Sequence, residues 1–129
     1  MVSERLRKIV VERPGSYNRL EVRDFPPLQA GDDEVVIAVH AIGVNYADCM
    51  VRMGLYESAK EYVGWPITPG FEVAGLVQSV GRNVRDLAVG DEVFAVTLFE
   101  GYATQVKAAR SYVYPLPPGV NMEQAAAFP

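Results

Sequence analysis

The sequence predicts a mainly β domain with a few short helices, closed into a barrel or sandwich. Three observations carry that expectation. Six short runs rich in Val, Ile and aromatic residues recur along the chain. Clusters of Gly, Pro and Asp separate nearly all of them. The composition of the 129 residues, half hydrophobic and 22% charged, suits one compact globular unit rather than a disordered one.

The first run, "KIVV" at Lys8–Val11, is closed by "PG" at Pro14. The second, "EVVIAVHAIGV" at Glu34–Val44, follows "PP" at Pro26 and "AGDDE" at Ala30. Its segment Val35–Val39 is continuously apolar, so both faces of this strand should be covered. A helix is predicted next, from Asn45 to about Met53. Asn45 is a good N-cap, Asp48 takes the third helical position near the positive dipole end, and Gly54 can close the last turn. Ala47, Met50 and Val51 form its apolar stripe, with Cys49 beside it as packing. The polar loop "YESAKEYVGWP", Tyr56–Pro66, reads as a flap over a cleft. Arg52 and Lys60 read as solvated charges.

Four further runs follow: "EVAGLVQSVG" (Glu72–Gly81), "DEVFAVT" (Asp91–Thr97), "GYATQVKAA" (Gly101–Ala109) and "YVYPLP" (Tyr112–Pro117). Asn121 and Gln124 then have the spacing of a capping box, with Ala125–Ala127 as helix interior. The sequence stops as this helix starts, which suggests that the natural chain continues. No G-x-G-x-x-G stands between a strand and a helix, so no dinucleotide loop is encoded.

Charge and cysteine usage exclude several function classes. Sixteen acids against twelve bases leave a net charge of -4, without the basic face that nucleic acid requires. The densest basic cluster, "ERLRK" at Glu4–Lys8, reads as a solvated strand entry. Cys49 is the only cysteine and His40 the only histidine, which rules out an intrachain disulfide and a CxxC zinc knuckle. No apolar stretch approaches the ~20 residues of a membrane span, and the N-terminus lacks the pattern of a signal peptide. The expectation is a soluble cytoplasmic protein.

A resemblance then becomes specific. "AIGVNYAD" (Ala41–Asp48), "RMGLY" (Arg52–Tyr56), "ITPGFEVAGLVQSVG" (Ile67–Gly81), "VGDEVFAV" (Val89–Val96) and "PLPPGVNMEQAAAFP" (Pro115–Pro129) occur in that order. Together they resemble the N-terminal half of a medium-chain dehydrogenase/reductase, within the zinc-independent quinone oxidoreductase group. The resemblance implies a GroES-like, partly open β-barrel over residues 1–129. It also implies a following Rossmann domain that binds NADPH and a homodimeric parent. The implied substrates are quinones, enones or other activated alkenes, reduced by hydride transfer. Lens crystallins and vesicle-associated proteins also resemble this pattern, so a non-catalytic interaction role stays open.

In zinc alcohol dehydrogenases of this family the residues matching Asn45 and Phe71 are a cysteine and a histidine ligand. Phenylalanine offers no donor and a neutral amide is a poor one, so no zinc is expected. Glu72 is then either a buried acid held by a partner, as buried acids require, or part of the substrate site. Asn45 is either only a cap or also the side chain lining the cleft near nicotinamide and substrate. By resemblance Tyr56 is the proton donor or oxyanion partner, a role its phenol suits because it stays protonated at neutral pH. A packing tyrosine is the alternative. Tyr46 is read either as a pocket wall or as core. Asn45 and Tyr56 flank one helix, so they can share a site only if the chain folds back after Gly54.

Overall fold

The structure, a computed structural model, describes residues 5–56 and 64–127. Among the described residues seven strands form two antiparallel systems. Strands β1 (Arg7–Val11) and β2 (Leu20–Asp24) pair as a ribbon, with Ile9 opposite Val22. The others are β3 (Glu34–Ile42), β4 (Glu72–Val80), β5 (Glu92–Val96), β6 (Gln105–Ala109) and β7 (Val113–Pro115). They make one five-stranded sheet in the order β6-β3-β4-β5-β7. The ribbon joins this sheet system through single bridges, Lys8 to Ala103 and Val11 to Ile67. The partly open barrel that the sequence implies is therefore present.

Two β-strand expectations needed correction. Strand β2 was not foreseen, because its sequence LEVRD is charged and almost wholly exposed, and its alternation of Leu20 and Val22 with Glu21 and Arg23 is only two apolar residues long. The run from Gly101 becomes regular only at Gln105. Phe99 and Glu100 adopt left-handed backbone, and the residues after them bond to irregular partners. Glu100 N–H donates to Thr68 O (2.8 Å), Tyr102 N–H to Pro69 O (2.9 Å) and Ile9 N–H to Tyr102 O (2.9 Å). The backbone is satisfied without a ladder.

The main core lies inside the curled sheet, where Val35, Ile37, Val73, Val77, Val93, Val106 and Val113 meet. Val35, Val36 and Ile37 are all buried, as the unbroken apolar run required. Curling needs close backbone approach at one point. Gly75, opposite Val39 beside a register shift in β3, leaves no room for a side chain: a Cβ there would run into the carbonyl of Ala38.

Helix α1 covers Tyr46–Arg52 with Asn45 as its N-cap. It ends in a Schellman motif, with Leu55 N–H donating to Met50 O (2.9 Å), Gly54 N–H to Val51 O (3.0 Å), and Gly54 at φ +77°. Of the foreseen stripe only Val51 is fully buried. The other buried residue is Asp48, while Ala47 and Met50 are half-buried. Arg52 is a tie rather than a solvated charge, because its Nη1 donates to Gly15 O at 2.6 Å. Lys60 and most of the expected flap, residues 57–63, lie outside the described residues. Among the described residues no helix is long and apolar enough to cross a membrane.

Helix α2 (Met122–Ala126) opens with the expected capping box: Gln124 N–H donates to Asn121 Oδ1 (2.8 Å) and Asn121 N–H to Gln124 Oε1 (3.0 Å). Its Ala125 and Ala126 pack on Ala74 of β4. Because this helix is so short, Asn121→Ala should cost about 1 kcal/mol by urea unfolding. A change below about 0.3 kcal/mol would show that packing alone holds the helix.

Candidate functional site

Strand β4 begins with two residues that face opposite ways. Val73 and Phe71 lie toward the inner side, whereas Glu72 shares the face of Ala74, which α2 covers. Glu72 is therefore buried where the strand emerges from the barrel. Gly43 lies against it, donating its N–H to Glu72 O at 2.9 Å. A Cβ on Gly43 would collide with the carbonyl of Ala126 and stand 2.9 Å from Glu72 Oε2.

Asn45 follows directly. Its side-chain amide donates to Glu72 Oε1 at 2.8 Å, and its backbone N–H donates to Asp48 Oδ2 at 2.9 Å. Asp48 Oδ2 also accepts from the Tyr102 hydroxyl at 2.8 Å. One asparagine thus links two buried carboxylates. The resulting chain runs from Tyr102 through Asp48 and Asn45 to Glu72. Glu72 Oε2 and Asp48 Oδ1, both buried, have no hydrogen-bond partner among the described residues. Such orphaned acceptors are uncommon and costly to keep. Burial first, then the hydrogen bond and charge of Asp48, raise the Tyr102 phenol well above its ordinary value, so it stays a donor.

Tyr56 reaches the same region, because the chain does fold back after Gly54. Its ring meets Phe71 edge-on at 5.7 Å and Phe99 at 6.2 Å, and Phe71 and Phe99 are 5.2 Å apart. This trio packs on Val11, Val51 and Ile67. None of the described hydrogen bonds involves the Tyr56 hydroxyl. Phe71 and Glu72 are neighbours, so Tyr56 approaches one while Asn45 holds the other.

The remaining sequence candidates are placed as follows. Tyr46 is 78% exposed beside Asn45, so it is not core. Val44, on the other side of Asn45, is 73% exposed. Cys49 is half-buried on α1 and His40 is exposed on β3. Asp48 and Tyr102 were missed as site residues. Asp48 was read only as a dipole partner, and Tyr102, 54 residues away, gives no local signal of their contact.

The donor set does not suit zinc. Phe71 contributes a ring packed between two others, and the Asn45 amide nitrogen is directed at Glu72. Zinc requires three or four N, S or O donors in tetrahedral array. Among the described residues no group of three or more His, Cys, Asp and Glu could hold a metal ion.

Comparison with known proteins agrees with this architecture. The signature of the alcohol dehydrogenase GroES-like domain matches residues 31–122. The chain is 33% identical over 126 residues to the synaptic vesicle membrane protein VAT-1 homolog of Danio rerio, covering 95% of this chain and 25% of that protein. It is 44% identical over 97 residues to the quinone oxidoreductase of Sus scrofa, covering 74% and 29% respectively. The solved Escherichia coli quinone oxidoreductase complexed with NADPH superposes with a TM-score of 0.87 at 28% identity, over 95% of this chain and 36% of that one. The chain thus spans under a third of the length of these two curated relatives.

Proposed function

Because the chain belongs to the alcohol dehydrogenase GroES-like domain family, we propose that it is the substrate-side domain of a zinc-free, NADPH-dependent oxidoreductase. Its substrates are quinones, enones or other activated alkenes. A Rossmann domain follows it in the parent protein and holds most of the cofactor. The observation that carries this reading is the Asn45–Glu72 pair beside the Tyr56–Phe71–Phe99 cluster. Side chains that hydrogen-bond and pack occupy the two positions at which zinc relatives keep ligands. The similarity to proteins named quinone oxidoreductase supports it.

NADPH, when bound, supplies the hydride. The chain's own residues have two tasks. Asn45, fixed by Glu72 through one amide N–H, keeps a second N–H that can donate to an oxyanion developing on the substrate. Tyr56, its ring anchored by Phe71 and Phe99, offers a hydroxyl for the proton that completes reduction. The exposed Val44 and Tyr46 flank Asn45 and suit an apolar, planar substrate. Without a metal, conjugation must activate the substrate, which favours quinones and enones over simple alcohols.

The similarity to the VAT-1 homolog over 95% of the chain supports a second reading, a non-catalytic interaction protein on the same barrel. One experiment separates the two. The parent protein is titrated with NADPH, then given a quinone or enone while nicotinamide absorbance is followed. Turnover supports the reductase, with Tyr56→Phe lowering kcat about 100-fold or more. Cofactor binding without turnover across several quinones and enones supports the interaction role. Stoichiometric, tightly held zinc would overturn the proposed chemistry. The 129-residue chain alone should neither bind NADPH at micromolar concentration nor oxidise it.

A further inference from the structure

One recess is lined by none of Asn45, Glu72 and Tyr56, and meets their network only through Tyr102, whose hydroxyl points to Asp48. The registered pairing of β3 with β6 ends at Ala38–Gln105, and one further bond, Val39 N–H to Thr104 O at 2.9 Å, closes it. The segment at Tyr102–Thr104 turns toward β1, with Thr104 N–H bonding Arg7 O at 2.9 Å. Between the ribbon and the free end of β3 this leaves a cleft of about 340 Å³. Ile9, Val22 and Ile42 contribute apolar walls, Tyr102 lines it, and Arg7 and His40 are its exposed basic residues.

The charge of this cleft departs from that of the chain. The protein carries a net charge of -4, yet no Asp or Glu lines the recess. Arg7 makes no salt bridge among the described residues, because Asp24, opposite it in the ribbon, is taken by Arg5 at 2.6 Å. The one acidic hydroxyl in the lining, that of Tyr102, is engaged with Asp48 and stays protonated, so it adds no negative charge. Apolar walls of this size with an unpaired guanidinium and an imidazole beside them match a small, flat, apolar molecule bearing one carboxylate. We propose that this cleft is a binding site for aryl carboxylates, separate from the substrate site. The recess has room for a two-ring compound, with the carboxylate toward Arg7 and His40.

The test uses 2-naphthoate and its uncharged counterpart 2-naphthylmethanol, titrated into the 129-residue chain and followed by backbone amide NMR shifts. Naphthoate should saturate with a Kd on the order of 1 mM or tighter. Its shifts should centre on Arg7–Ile9, His40–Ile42 and Tyr102–Thr104. The alcohol should bind at least about threefold more weakly, and Arg7→Gln and His40→Gln should each weaken naphthoate by about two- to fivefold without changing the alcohol. Both substitutions fall at exposed side chains, so amide spectra that match the parent chain confirm folding. Equal affinity for acid and alcohol would overturn the proposal. So would shifts centred on Asn45 and Glu72, or the absence of saturable binding at several times the expected Kd. This result is independent of whether the parent reduces quinones.

Discussion

Asp48→Ala should lower stability by about 2–4 kcal/mol, more than any other side-chain truncation near the candidate site. Asp48 is only 4% exposed and accepts from both the Tyr102 hydroxyl and the Asn45 backbone N–H. Hydrogen bonds to a charged acceptor contribute roughly 1.5–3 kcal/mol each, and removing the acceptor leaves two donors to find others. The gain from no longer burying a carboxylate with one orphaned oxygen offsets part of this loss. Asp48→Asn keeps an oxygen for one donor and should cost about half as much. Urea unfolding, followed through the sole tryptophan Trp65, measures both.

The same pair sets an alkaline limit. The folded Tyr102 phenol titrates above its unfolded value of about 10, so its contribution is whole below that value and falls as pH rises beyond it. In the Asp48→Ala chain the alkaline loss should shrink. If Asp48→Ala unfolds within about 0.5 kcal/mol of the parent chain, the Tyr102–Asp48–Asn45 link does not stabilise the fold.

Gly75→Ala should be equally damaging for a different reason. A methyl group there meets the Ala38 carbonyl, and Ile37 Cγ2 stands 3.0 Å away. The obstacle is backbone inside a paired sheet, so no side-chain rotation relieves it. Overpacking of this kind costs about 3 kcal/mol or more. For a domain of this size that lowers Tm by about 10 °C. Gly90→Ala is the informative control. At φ +96° it meets no atom within 4 Å, so it carries only the backbone penalty of about 1 kcal/mol. Thermal unfolding that ranks the two equally would mean the sheet can open at Gly75 without loss.

Much of the fold was legible because it rests on local signals. Alternating or unbroken apolar runs marked β1, β3, β4, β5 and β7. The Asn121–Gln124 spacing and Gly54 marked helix ends whose hydrogen bonds are present as expected. Strand β2 failed the same test because its stability comes from pairing with β1, with little burial of its own. At Asn45 and Phe71 the residue types suit metal ligation poorly, and the structure bonds Asn45 to Glu72 and packs Phe71 against Tyr56 and Phe99. Contacts across long sequence separations were not readable. Nothing local to Asp48 points to Tyr102, and nothing near Arg52 points to Gly15.

The five-residue α2 is the roof over Glu72. A helix that short has little stability of its own and persists by leaning on Ala74 and its neighbours. The screening of the unpaired Glu72 oxygen thus depends on alanines packed against alanine, with no polar tie from them to the acid among the described residues. A change of volume at Ala125 or Ala126 would therefore reach the acid through its surroundings, without altering its bond to Asn45.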